Sequence, residues 1–173
     1  MSVRPILLWP DPRLAQPCAA AWGSEGLSTL IEDLLETIYA APGYAAPGRG
    51  NAAPQIGAMR WVFVMAVGWR MGAPSPIGLI DPKITWANAE RAVAAEGCLS
   101  IPGVTAEVAR PVRVRIVGRN REGEAVDLAL SDAAARCAQH EIDHLDGQRT
   151  FDRLAAAPRA ALAAVYAASR TAS

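Results

Sequence analysis

The clearest periodicity lies in residues 24–40, SEGLSTLIEDLLETIYA, where Leu27, Leu30, Ile31, Leu34, Leu35 and Ile38 return at steps of three and four. That spacing makes one apolar stripe and predicts an amphipathic helix, stopped by Pro42 and Gly43. The pattern then changes. WVFVMAV (61–67) is an unbroken run rich in β-formers and predicts a buried strand, and IGLIDPKITW (77–86) reads as a strand interrupted at Asp81-Pro82. VRVRIVG (112–118) alternates apolar and basic residues, as a half-exposed strand does, and the turn GRNREGE leads into a return strand at AVDLAL (125–130). A second helix is predicted over 132–146, with Asp132 near its start. A third, alanine-rich, is predicted over 158–170 with Pro158 in its first turn. Helix, strands, then helices predict an α+β domain rather than alternating βαβ units.

At 173 residues the chain is expected to form a single domain, residues 1–173. Its formal net charge is +0, so no basic field attracts nucleic acid and no direct nucleic-acid binding is expected. The short apolar run at the N-terminus is broken by prolines and lacks the features of a signal peptide. No stretch approaches the roughly 18 apolar residues of a membrane span. Three cysteines, with no close pair, argue against a disulfide framework. A reduced, cytoplasmic setting is the expectation, in which a cysteine can serve as a thiolate ligand.

Both histidines of the chain, His140 and His144, fall in QHEIDHLDG (139–147), in the pattern H-E-x-x-H. On a helix, positions i and i+4 share a face, so both imidazoles project toward one point, with Glu141 one step round. Metal hydrolases use this arrangement: the metal lowers the pKa of a water and the glutamate takes its proton. A third ligand is needed. The longer pattern ending in a third histidine fails, because its last position is Thr150, and no glutamate follows Glu141. Asp146 and Asp152 are weak alternatives. Cys137 lies on the same helix but about 7 Å along the axis from a metal between the histidines, too far for a bond of about 2.3 Å. Cys18 has no supporting context. Cys98, in EGCLSIPG (96–103) and preceded by Gly97, is the favoured third ligand.

Three motifs coincide with one family. Gly48-Arg49-Gly50-Asn51-Ala52-Ala53-Pro54-Gln55, then Glu96-Gly97-Cys98-Leu99-Ser100, then Gln139-His140-Glu141-Ile142-Asp143-His144 resemble, in order and spacing, the signatures of peptide deformylases. The opening RPILLWPDPRL and the closing HLDG…FDRL are also similar, so the likeness covers nearly the whole chain. The resemblance implies an α+β fold of antiparallel sheets packed around a central helix carrying H-E-x-x-H, plus an N-terminal and a C-terminal helix. It implies Cys98, His140 and His144 as ligands of Fe²⁺, with Zn²⁺, Ni²⁺ or Co²⁺ able to substitute. Glu141 is implied as general acid/base, and Gln55 and the Leu99 N–H as donors to the oxyanion. Arg49, Gly50, Glu96 and Gly97 are implied beside the substrate, an N-formylated peptide carried by ribosome-associated nascent chains. A hydrolase of another N-formyl or N-acyl amide, and a silent relative, are the competing readings.

The chain also departs from the family pattern. The unit YAAPG is written twice at 39–48, Arg49 and Asn51 stand where aliphatic residues are usual, and Asp132-Ala133 replaces a glycine and a bulky apolar residue. These departures predict a more polar pocket for the substrate's first side chain, with Arg49 and Asp132 on its two walls.

Overall fold

The structure, a computed structural model, describes residues 2–41, 49–67 and 76–171. The doubled unit beyond Ala41, and the Arg49 side chain, lie outside the described residues.

Helix α1 (Leu27–Ala40) follows the apolar stripe, and Ile31, Leu34 and Ile38 are fully buried. Each such side chain contributes about 1.5–3 kcal/mol through its burial. Strands β1 (Arg49–Ala52), β2 (Val62–Ala66), β3 (Ile77–Ala87), β6 (Arg113–Arg119) and β7 (Ala125–Ser131) form one antiparallel sheet in the order β1-β2-β3-β6-β7. Strands β4 (Arg91–Cys98) and β5 (Ile101–Pro111) form a separate antiparallel pair. Helix α2 (Asp132–Leu145) carries H-E-x-x-H, and α3 (Ala156–Thr171) lies over β5. The expected α+β architecture is the observed one.

The run in β2 is unbroken because both faces of that strand are covered. Val62 and Val64 pack with α1 and Ile80, while Phe63 and Met65 pack with Leu79, Val114, Ile116 and, from α2, Ala135, Ala138 and Ile142. Helix α2 is thus enclosed between the sheet and the β4–β5 pair, and every residue from Cys137 to Leu145 is buried. Gly147 ends it. Its φ is +72°, and a Cβ there would lie 2.8 Å from the Gln16 carbonyl carbon, so only glycine permits the turn. The Gly147 N–H donates to His144 O and the Gln148 N–H to Asp143 O, which closes the helix just after its second histidine.

At Asp81-Pro82 strand β3 does not end. It bulges, with a register shift between Ile80 and Lys83. Asp81 takes φ +49°, and its carboxylate accepts the Ala21 and Trp22 N–H groups at 2.7 and 2.9 Å. The β4–β5 pair went unread in the sequence. In β5, Val104, Ala106, Val108 and Arg110 alternate inward, and an arginine at the inward position hides the strand from a hydrophobic pattern.

Candidate active site and metal centre

Cys98 ends β4, and His140 and His144 lie one turn apart on α2. Their Sγ and ring-nitrogen donors all fall within 4.8 Å of one another, and Cys98 Sγ is 3.2 Å from His144 Nε2. A thiolate with two imidazoles is a donor set suited to a divalent transition metal. The charge state agrees: burial opposes ionisation of Cys98, yet the two imidazoles hold its thiol well below the usual range. Burial opposes protonation of His140 as well, while Cys98 and Glu96 raise its pKa well above the usual value. The apolar surroundings alone would leave both groups neutral, so it is the pairing of Cys98 with its neighbours that overrides burial.

The sequence placed Cys137 in the core, and it is 5% exposed. Burial pushes its thiol well up, and Glu141 adds to the shift. It lies outside the donor cluster.

Behind His140, the Glu96 carboxylate lies 3.0 Å from Nδ1. That contact orients the ring and leaves Nε2 to face the donors. Glu96 is itself gripped by Arg110, whose Nε and Nη2 donate to the two carboxylate oxygens at 2.6 and 2.9 Å. Arg136 Nη1 donates to Glu96 as well, at 2.6 Å. Burial works against the charge on Glu96, but His140 and Arg110 outweigh it and bring the pKa down to about 2. Arg110 continues to Asp143 at 2.9 Å, and Arg153 closes on the same carboxylate. Arg110 and Asp143 are therefore parts of the site that the sequence reading did not assign. Asp143 stands inside the quoted motif, whereas nothing local marks Arg110. Glu96 lines the cleft, but its carboxylate is engaged by these partners.

Gln55 sits in a 3-10 turn, Ala53–Ile56. Its Oε1 accepts the Ala52 N–H at 2.9 Å, so its Nε2 must be the end that faces Ser100 Oγ at 3.1 Å and Cys98 Sγ at 3.6 Å. The N-terminal segment ties this turn to the one after β4. Leu7 N–H donates to Gln55 O and Trp9 N–H to Ser100 O. Leu99 lies in that second turn and lines the cleft with Gly97. Glu141 is 3% exposed, and its Oε2 is buried without a hydrogen-bond partner among the described residues. Burial pushes its carboxyl up to about 7, despite the opposing effect of the two histidines.

Gln55, Cys98, Leu99, His140 and Glu141 line one cleft of about 1030 Å³, together with Gly50, Ala133, Arg136 and Cys137. The departures from the family pattern fall differently from the expectation. Asn51 is 0% exposed and reaches Leu34 O at 3.4 Å on the α1 side. It cannot line the cleft, because Gly50 and Asn51 point to opposite faces of β1. Asp132 is exposed and does not line the cleft, whereas Ala133 does.

A divalent-metal donor set on an H-E-x-x-H helix, with a buried carboxylic acid and a fixed amide donor, defines a metal-dependent amide hydrolase. The model of the polypeptide deformylase family matches residues 3–160. A peptide deformylase of Bartonella henselae is 38% identical over 155 residues, 89% of this chain and 85% of that one. One of Methylocella silvestris is 40% identical over 166 residues, 92% and 81% of the two chains. The crystal structure of a Legionella pneumophila peptide deformylase superposes with a TM-score of 0.87 at 30% identity, covering 98% of this chain and 96% of that one. That of the Ehrlichia chaffeensis enzyme in complex with actinonin superposes with 0.87 at 31%, covering 98% and 99%. The chain belongs to the polypeptide deformylase family and is a hydrolase of that metal-dependent class.

Proposed function

We propose that the chain, acting as a single domain of residues 1–173, hydrolyses the formyl group from the N-terminal formyl-methionine of nascent polypeptides, using Fe²⁺ held by Cys98, His140 and His144. The observation that carries this reading is that Glu141, Gln55, Cys98 and His140 line one cleft, with His144 completing the Cys98–His140 donor cluster.

A divalent cation there supplies Lewis acidity to the carbonyl and to an attacking water. Glu141 accepts a proton from that water. A C–O bond forms at the formyl carbon, and the Gln55 Nε2–H and Leu99 N–H donate to the oxygen that gains negative charge. Glu141 then returns its proton to the nitrogen as the C–N bond breaks, and a free amine and formic acid leave, the acid giving up its remaining proton to solvent as formate. A carboxyl raised to about 7 suits both halves of that transfer near neutral pH. The Ala52–Gln55 and Ser100–Gln55 hydrogen bonds hold the amide in place beforehand, so little reorganisation is needed during reaction.

The setting we propose is cytoplasmic, with ribosome-associated nascent chains as the source of substrate. Among the described residues no helix is long and apolar enough to cross a membrane. The test is turnover of formyl-Met peptides by iron-loaded protein, set against other formyl amides. Absence of turnover on formyl peptides overturns the reading. Iron is tested separately: with a thiolate beside an oxidisable metal, the Fe²⁺ form is expected to lose activity in air faster than a Ni²⁺ form, and equal lifetimes count against iron.

A further inference from the structure

The two donors proposed for the oxyanion belong to different parts of the fold. Gln55 follows β1 of the five-stranded sheet, and Leu99 lies in the two-residue turn between β4 and β5, where Cys98 pairs with Ile101. Among the described residues no strand of one sheet pairs with a strand of the other. The separation of the two donors is therefore not set by a β ladder.

The N-terminal segment spans that gap. Its Leu7 N–H donates to Gln55 O at 2.7 Å and its Trp9 N–H to Ser100 O at 2.9 Å. Leu7 and Trp9 are two residues apart, so chain geometry limits the distance between these bonds to about 7 Å at full extension. Across the same gap Ser100 Oγ, on a residue 1% exposed, accepts from Gln55 Nε2 at 3.1 Å. A bracket of this kind needs an anchor, and the Trp9 ring supplies one. It meets Phe151 at 5.4 Å between centroids with the planes 80° apart, and Tyr166 at 5.7 Å and 70°, the edge-to-face geometry that aromatic rings favour. Phe151 and Tyr166 are buried, and they share their cluster with Ile101, the first residue after the turn, and with Cys98.

We infer that Trp9 is a positioning residue for the reaction: anchored by its ring on Phe151 and Tyr166, it holds through its N–H the turn that carries Leu99 and Ser100, and so fixes the Leu99 N–H and the Gln55 amide relative to each other. Trp9 is not among the residues lining the cleft, so it acts through the turn and not on the substrate. A displaced donor loses most in the transition state, where the oxyanion charge has formed, and the loss falls on kcat. This inference rests on the deformylase reading and deepens its account of the oxyanion donors.

The experiment measures kcat, KM and metal content on a formyl-Met peptide for metal-loaded wild type, Trp9→Ala, Trp9→Leu and Trp9→Phe, each with and without Gln55→Leu. Trp9→Ala is expected to lower kcat about tenfold or more, with KM within about twofold of wild type and metal content near one. Trp9→Phe keeps an aromatic ring at the anchor and is expected to retain most of the rate. With Gln55→Leu one of the two donors is already gone, so Trp9→Ala should cost at least about threefold less there. A merely structural role costs the same in both backgrounds. Amide hydrogen exchange gives a readout independent of turnover: the residue 9 N–H should exchange faster in Trp9→Ala than in wild type or Trp9→Phe. If Trp9→Ala does not fold, Trp9→Leu, which fills space without a ring, carries the test. Unchanged kcat or exchange in a folded variant, or an equal cost in both backgrounds, overturns the inference while the deformylase reading stands. Wild type inactive on every formyl peptide overturns both.

Discussion

Gly50 and Glu141 are packed so closely that position 50 has no room for a side chain: a Cβ there would lie 2.6 Å from both Cγ and Cδ of Glu141. The backbone of β1 is thus the wall that holds the Glu141 carboxylate toward the metal donors. Gly50→Ala is expected to push that carboxylate aside. Misplacement of a reacting group by about 1 Å can cost on the order of 10²-fold in rate, so kcat should fall by that order while metal content stays near one. Steady-state kinetics with metal analysis checks this. An unchanged kcat would mean that β1 does not position Glu141.

Cys98 and Cys137 should separate cleanly. Cys98→Ala removes the only thiolate among the clustered donors and is expected to abolish tight metal binding. Cys137→Ala should leave stoichiometry near one. Metal quantification after dialysis decides the point, and a metal-free Cys137 variant would show that the assignment is mistaken.

Glu141→Gln and Gln55→Leu probe the two halves of the proposed chemistry. The first retains fold and metal but cannot carry a proton, so turnover should drop by a factor on the order of 10² or more. The second removes a donor to the oxyanion, and a loss of about 2.7–4 kcal/mol in barrier lowering, roughly 10²–10³ in kcat, is expected. Near-normal turnover in either variant contradicts the role given to that residue.

Cys18 makes alkaline stability a measurable property. Its N–H donates to Leu145 O, and burial, with a smaller push from Asp146, raises its thiol from the ordinary value near 9 to about 11. Between those pH values the folded chain keeps the proton and the unfolded chain has lost it. The unfolded state then binds fewer protons, so stability falls as pH rises. Cys18→Ala lacks this effect. Its stability gap to wild type is expected to narrow by an amount on the order of 1 kcal/mol between pH 8 and 11, discounted for partial solvent access. Urea unfolding at the two pH values measures it, and a constant gap would refute the link to Cys18.

What the sequence determined by itself were the features set by short-range geometry. The three- and four-residue spacing of Leu27 to Ile38 specifies α1, because helix periodicity is a local property. The i, i+4 placement of His140 and His144 brings two imidazoles to one face for the same reason, and the reach of a thiolate arm disfavours Cys137 without knowledge of the fold. Only the tertiary structure decided where polar residues point. Nothing local marks Arg110, and Glu96 is expected beside the substrate, yet the two are buried against each other behind His140, because a charge can leave water only when distant segments bring its partner. Asn51 stands in the motif expected to shape the pocket, but strand alternation places it toward α1 once Gly50 faces Glu141. Asp132 sits where Val112 O receives its N–H and its side chain stays exposed, while Arg136, unremarked in the sequence, takes the wall of the cleft. Each of these outcomes depends on which face of a strand or helix meets which neighbour, and that is settled by packing between segments far apart in the chain.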